Sequence, residues 1–128
     1  MTTANDPASM IVVDDESDIR LMVRMLVEAS GEYVVIAEAS DGDEAIELVR
    51  AEAPGSPDIV LLDNRMPRVN GLDAARAILD DAPDRRIILF TAFVDDWVRD
   101  EATEIGIRAV ISKTDVDDLP SLMATVLG

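Results

Sequence analysis

Apolar residues along this chain fall into two alternating patterns. Short apolar-rich runs occur at Met10–Val13, Tyr33–Ala39, Ile59–Leu62, Ile87–Phe90 and Ala109–Ile111. They are rich in branched residues and of strand length, so they predict five strands. Between them apolar residues recur at intervals of three and four, as in Ile19, Met22, Val23, Leu26 and Val27, or Ala45, Ile46 and Val49. Ala75, Ile78 and Leu79, then Trp97, Val98, Ala102 and Ile105, repeat the pattern, and a last helix is expected over Leu119–Leu127 with Pro120 in its first turn. Ser17 or Asp18 can cap the first helix and Gly31 stops it. Asp41 with Glu44 is a variant capping box, Asp95 or Asp96 opens the fourth helix, and Gly106 closes it. Pro54-Gly55-Ser56-Pro57 breaks the chain before the third strand. Met22 and Met123 belong to the core by this spacing, and Met25 to the surface.

Strands alternating with helices across short connections imply a parallel sheet with right-handed crossovers and helices on both faces, an α/β doubly wound domain. Residues 10–128 form that domain, and residues 1–9, polar and containing Pro7, are expected to be a flexible arm. In a parallel sheet the carboxyl ends of all strands share one edge, where ligands collect. The residues there are Asp14 and Asp15, Asp63, Thr91 and Lys113.

Composition narrows the chemistry. With no cysteine and no histidine, the chain has no thiol nucleophile, no zinc-thiolate site and no histidine-based triad. The formal charge is −16, from 18 Asp and 9 Glu against 10 Arg and one Lys. Such a field repels phosphate backbones and argues against direct nucleic-acid binding. No apolar run approaches membrane-spanning length, so no membrane association is expected and the reading is of a cytoplasmic protein. With so many carboxylates, only an ordered constellation carries weight.

Asp63 alone decides little, since an Asp at a strand end commonly caps a turn. Together with Asp14 and Asp15, however, it crowds three carboxylates, for which the oxygen-seeking cation Mg2+ is a natural counter-charge. Thr91 and the ammonium of Lys113 could then hold phosphoryl oxygens, a set suited to a chemistry that rests on positioning and charge neutralisation. Lys113 is the one lysine in the chain, although a solvated lysine is the ordinary alternative.

These residues resemble the response-regulator receiver domain, the phosphoacceptor module of bacterial two-component signalling. Asp14-Asp15, Leu62-Asp63-Asn64-Arg65-Met66-Pro67 with Gly71 eight after Asp63, Thr91-Ala92, Gly106 and Lys113 stand at that family's spacing, from Met10 to Leu127. The resemblance implies a flavodoxin-like sheet of strand order 2-1-3-4-5 and a regulator that catalyses only its own phosphorylation and dephosphorylation. It implies that Asp63 takes a phosphoryl group from a histidine kinase or histidine phosphotransfer protein and thereby switches binding to a downstream protein target. Asp15, Asp63 and the carbonyl of Arg65 would ligate Mg2+, with Asp14 acting mostly through water. Thr91, Ala92 and Lys113 would hold phosphoryl oxygens, and Thr91 with Val110 would form the switch. A chemotaxis-regulator-like, stand-alone chain is one form, and a receiver excised from a larger chain is the other.

The chain departs from the family at two positions. Val110 replaces the usual switch aromatic, and Thr114 replaces the usual proline after the lysine. A cis bond before Thr114 would cost about 3 kcal/mol, so a trans peptide and an altered loop are expected. Arg65 and Phe93 occupy positions that shape phosphate lifetime in the family, and neither can position water as a carboxylate or amide can. Slow dephosphorylation is expected. Phe93 either shields the site or packs under the fourth helix, and Trp97 is expected to pack there. A flavin or nucleotide binder of the same fold would need a Gly-rich loop in place of Asp14-Asp15-Glu16, and an aspartate-nucleophile phosphatase would need Asp in place of Arg65. A phosphorylation-independent interaction module would keep the fold alone.

Overall fold

The five apolar runs pair side by side into one parallel sheet, in the order β2-β1-β3-β4-β5. The computed structural model describes residues 6–52 and 56–127. The strands are β1 (Ala8–Val13), β2 (Tyr33–Ala39), β3 (Ile59–Leu62), β4 (Arg86–Thr91) and β5 (Ala109–Ser112). The helices between and after them are α1 (Ser17–Ala29), α2 (Gly42–Ala51), α3 (Gly71–Asp81), α4 (Asp96–Ile105) and α5 (Leu119–Leu127), with a 3-10 turn over Lys113–Asp118 leading into α5. The doubly wound architecture expected from the alternation is thus present, and so is the strand order that the resemblance implies.

Successive strand residues serve opposite faces, so the sheet divides the core in two. Ile11, Val13, Val60, Leu62, Ile87 and Leu89 pack with buried residues of α2, α3 and α4. Met10, Val12, Ile59, Leu61, Ile88 and Phe90 pack with Val23 and Val27 of α1 and Leu119 and Met123 of α5. Both faces being covered explains why the central strands are apolar throughout.

Several local expectations are corrected. Neither Ser17 nor Asp18 caps α1: Glu16 occupies the cap position without a side-chain bond. The turn is set instead by Asp14 Oδ1, which accepts from the Glu16 N–H at 2.9 Å. In α2 the carboxylate of Glu44 reaches Ser40, accepting from its N–H at 3.3 Å and its hydroxyl at 2.8 Å, and Asp41 turns its own carboxylate away from the Glu44 amide. Trp97 does not pack beneath α4 but is 63% exposed. Val98 and Ala102 occupy the buried stripe of that helix, and Trp97, one residue earlier, is turned about 100° away from it. The cap of α4 is Asp95, accepting from the Val98 N–H at 2.9 Å, and Gly106 ends the helix at φ 103°. Met123 is fully buried and Met25 is 64% exposed, as the spacing implies, whereas Met22 is half-buried.

The first strand begins earlier than its apolar run. Ala8 donates its N–H to the Glu32 carbonyl at 2.9 Å. Ser9 and Asp58 bind reciprocally, with Asp58 Oδ2 accepting from the Ser9 N–H at 2.8 Å and Ser9 Oγ accepting from the Asp58 N–H at 3.0 Å. Ala8 and Ser9 therefore belong to β1; residues 1–5 of the expected arm, like Pro54 and Gly55 of the chain break, lie outside the described residues.

Gly71 joins the loop after β3 to the sheet. Its N–H donates to the Asn64 carbonyl at 3.0 Å. A Cβ here would overlap the Asp63 carbonyl oxygen and stand 2.9 Å from Leu89 Cδ1 and 3.0 Å from the Asn64 Cα. Gly71→Ala must therefore displace backbone next to Asp63. We expect it to destabilise the fold by about 1–3 kcal/mol, the usual range for overpacking a filled interior; urea denaturation of the variant measures this, and an unchanged midpoint would contradict the fit.

Candidate functional site

Parallel pairing alone brings the key side chains to one edge. Val13 lies opposite Leu62 in the β1–β3 ladder, and the Asp63 N–H donates to the Val13 carbonyl at 2.9 Å, so Asp14 and Asp63 leave adjacent strand tips together. Asp14 is held from its other side by its N–H on the Ala39 carbonyl at 3.1 Å. In the β4–β5 ladder Thr91 lies opposite Ser112, one residue before Lys113. The edge is also where the strand order reverses between β1 and β3, the usual ligand crevice of such sheets.

Lys113 ties the group together. Its Nζ stands 2.7 Å from Asp14 Oδ2 and 3.3 Å from Asp63 Oδ2. Asp14 and Asp63 are buried, at 2% and 5% exposure, while Asp15 beside them is open to solvent. Burial, and then the Asp14 charge, push the Asp63 carboxyl above its ordinary range, and Lys113 offsets this only in part. Burial alone would lower the Lys113 ammonium, but its bonds to Asp14 and Asp63 outweigh that and hold it above the usual lysine value.

Around this centre the other expected residues are arranged unequally. Thr91 is buried at the tip of β4, and Ala92 follows it into solvent. Arg65 is exposed, and its guanidinium carbon sits 3.8 Å from the centroid of the Phe93 ring, so the two positions flanking the mouth of the site stack on each other. Phe93 accordingly lies at the surface, 56% exposed, and not beneath α4. Val110 is half-buried on the side of the sheet that faces α4. The Lys113–Thr114 peptide is trans. In place of the family's proline, Ser112 Oγ accepts from the Thr114 N–H at 3.2 Å and lies 2.8 Å from Thr114 Oγ1, which starts the 3-10 turn. A shallow depression of about 400 Å3 beside the edge is lined by Asp15, Asn64, Arg65, Met66, Pro67 and Asn70.

The donors fit a hard divalent cation. Single carboxylate oxygens of Asp14, Asp15 and Glu16 lie within 4.8 Å of one another. Asp14 Oδ2 is buried, and among the described residues the Lys113 ammonium at 2.7 Å is the one donor that reaches it. A buried carboxylate oxygen left in this state, in an all-oxygen set beside a carboxyl whose ionisation is already opposed, suits Mg2+ or a similar ion. Glu16 was not among the residues anticipated for this cluster, because nothing in its spacing separates it from the chain's other surface acids. Asp41 was anticipated only as a helix cap. Its burial, at 1% exposure, has no signal in a chain this acidic.

Known proteins share this fold and are similar in sequence. The model of the response regulator receiver domain family matches residues 10–124. The chain is 35% identical over 104 residues to protein CcdB of Bacillus subtilis and 34% identical over 104 residues to the chemotaxis protein CheY of Thermotoga maritima, in each case covering 81% of this chain and 83% of the relative. It is 32% identical to the transcriptional regulatory protein LiaR of Bacillus subtilis but spans only 48% of that protein's length. Among solved structures, a two-component response regulator of the LuxR family from Aurantimonas sp. SI85-9A1 superposes with a TM-score of 0.87 at 32% identity, over 96% of this chain and 87% of that one. Fold, edge chemistry and relatives converge: the chain belongs to the response regulator receiver domain family of two-component signal transduction.

Proposed function

We propose that this chain is a phosphoacceptor whose Asp63 takes a phosphoryl group from the phosphohistidine of a histidine kinase or histidine phosphotransfer protein. The observation that carries the reading is the placement of the chain's one lysine across two buried carboxylates, at 2.7 and 3.3 Å. A carboxylate oxygen of Asp63 attacks phosphorus, an O–P bond forms, the N–P bond breaks, and the electron pair leaves with the imidazole. Asp63 must be ionised for this, yet burial and Asp14 oppose its charge. Lys113 supplies one compensating charge and, with three N–H donors on a flexible stem, can exchange an Asp63 oxygen for a phosphoryl oxygen while keeping Asp14. Thr91 and the exposed backbone at Ala92 stand at the neighbouring tip to hold further oxygens. Asp15, Asp63 and the Arg65 carbonyl would hold Mg2+, with Asp14 behind them. When bound, that cation supplies the remaining neutralisation between carboxylates and phosphoryl oxygens.

In this reading the protein is a regulator and not an enzyme acting on other substrates, and its output is altered binding to a downstream protein. Its acidity argues against nucleic acid as a direct partner. No helix among the described residues is long and apolar enough to cross a membrane, which fits signalling in the cytoplasm. With Val110 in place of an aromatic, Thr91 is the side chain left to register the phosphoryl group.

Incubation with acetyl phosphate and Mg2+ is expected to add one phosphoryl group, seen by intact mass, with none in Asp63→Asn or without the metal. No gain in the unsubstituted chain would instead favour an interaction module that works without phosphorylation.

Phosphate is expected to stay on Asp63 for minutes or longer, because the Arg65–Phe93 stack flanks the mouth of the site without offering a group that orients water. Phe93→Ala should shorten that lifetime severalfold in a phosphate-release assay; loss within seconds from the unsubstituted chain would contradict the shielding.

Charge repulsion at the edge also has a stability signature. Because the folded state raises the Asp63 pKa, its ionised form costs stability at pH 7. Asp63→Asn should raise the melting temperature by a few degrees there, without Mg2+. The gain is full above the folded pKa, shrinks as pH falls through it, and vanishes below the ordinary value of 3.8, where the carboxyl is protonated in both states. Thermal melts at pH 7 and pH 3 read this, and an equal gain at both would refute it.

A further inference from the structure

Asp41 is a buried carboxylate that the chemistry above leaves unused. It stands at the N-terminus of α2, where a cap carboxylate ordinarily accepts from amides two or three residues ahead in its own helix. Here Oδ1 accepts from the N–H of its neighbour Gly42 at 2.8 Å and from that of Val69 at 2.7 Å, and Oδ2 accepts from the N–H of Arg68 at 2.9 Å. The Gly42 N–H is shared with the Val69 carbonyl at 3.1 Å, and a Cβ on Gly42 would overlap that carbonyl. Outside this clasp, the Arg68 guanidinium lies on Asp43 at 2.9 Å and Glu44 at 3.0 Å, exposed to solvent.

The segment gripped in this way is the loop that leaves Asp63. Its near end is fixed by Asn64, whose carbonyl accepts from the Gly71 N–H at 3.0 Å and whose Oδ1 accepts from the Leu72 N–H at 3.2 Å. Its far end is fixed by Asp41. Between the two lie Arg65, Met66 and Pro67. We infer that Asp41 is a positioning residue for the site: by holding the amides of Arg68 and Val69 it sets the place of the Arg65 carbonyl, the backbone oxygen that would complete the cation's ligands. The inference rests on the receiver reading above.

A carboxylate is required because three donors converge on two oxygens, and charge-assisted bonds are the stronger kind. Burial alone would raise the Asp41 pKa, but the three amides outweigh it and keep the group ionised. Asparagine has nearly the same shape and one oxygen fewer, so its NH2 would face the N–H of either Arg68 or Val69. The exposed ion pairs of Arg68 hold the same loop from outside but contribute little. Supporting groups one step behind metal ligands typically change affinity about 10- to 100-fold when removed.

The experiment is Mg2+ titration by calorimetry on the whole chain, Asp41→Asn, Arg68→Ala and Val27→Ala, each checked for folding by circular dichroism. Asp41→Asn is expected to weaken Mg2+ binding about tenfold or more. Arg68→Ala should stay near the parent value. Val27→Ala, in the core on the opposite face of the sheet, should lower the melting temperature without moving the Mg2+ affinity. Folded Asp41→Asn that binds Mg2+ like the parent would overturn the inference. Should that variant not fold, hydrogen exchange in the unsubstituted chain decides: coupling is reciprocal, so Mg2+ must slow exchange at the Arg68 and Val69 amides, and unchanged exchange refutes the role. A parent chain that neither binds Mg2+ nor takes a phosphoryl group would instead refute the receiver reading and this inference with it; a parent that does both leaves the variants to judge Asp41 alone.

Discussion

The structure depends on two buried carboxylates held side by side. Parallel pairing of β1 with β3 leaves Asp14 and Asp63 no freedom to separate, because each follows directly on a ladder residue whose partner is fixed. Their repulsion is a standing cost, and much of the surrounding architecture is arranged to bear it. Lys113 arrives from β5, two strands away from β3, and reaches both. Asp14 gives its second oxygen to the Glu16 amide and so spends part of its charge on opening α1. A fold optimised for stability alone would fill such a position with apolar side chains, since buried charges are costly even when paired. Keeping them marks the edge as the place where stability yields to chemistry.

The same economy shapes the departures from the family pattern. Where proline usually follows the lysine, the hydroxyls of Ser112 and Thr114 bind each other and turn the chain into a 3-10 segment. The lysine still reaches its carboxylates, so the loop has been rebuilt around an unchanged end point. Val110 fills less volume on the α4 side than an aromatic would, and Phe93 and Trp97 both lie at the surface.

Most of the fold was legible because the signals were local and repeated. Five apolar runs and the three-and-four spacing between them specify strands and helices without reference to anything distant, and parallel alternation then dictates which strand ends meet. The grouping of the candidate residues was legible for the same reason, as Asp14, Asp63 and Lys113 sit immediately beyond strands and Thr91 ends one. What could not be read depended on orientation or on partners far along the chain. Trp97 is apolar and helical, yet a rotation of one residue places it outside the stripe that Val98 and Ala102 define. Asp41 looks like any helix cap, and only the approach of Arg68 and Val69, 27 and 28 residues later, turns it inward. The start of β1 was hidden because Ser9 is polar, and its pairing with Asp58 is visible only once the strands are adjacent.

That last pairing bears on how the central strand finds its place. Ile59, Val60, Leu61 and Leu62 are interchangeable to a first approximation, so hydrophobicity scarcely distinguishes the native alignment of β3 from one slid by a single residue. The two acids at its ends do. Asp58 binds Ser9 at one end, and Asp63 meets Val13 at the other, so any slide would drag a carboxylate between the helical layers. An uninformative strand is thus spelled out by its punctuation. A chain that threaded wrongly would displace Asp63 in the same movement that misplaced its core.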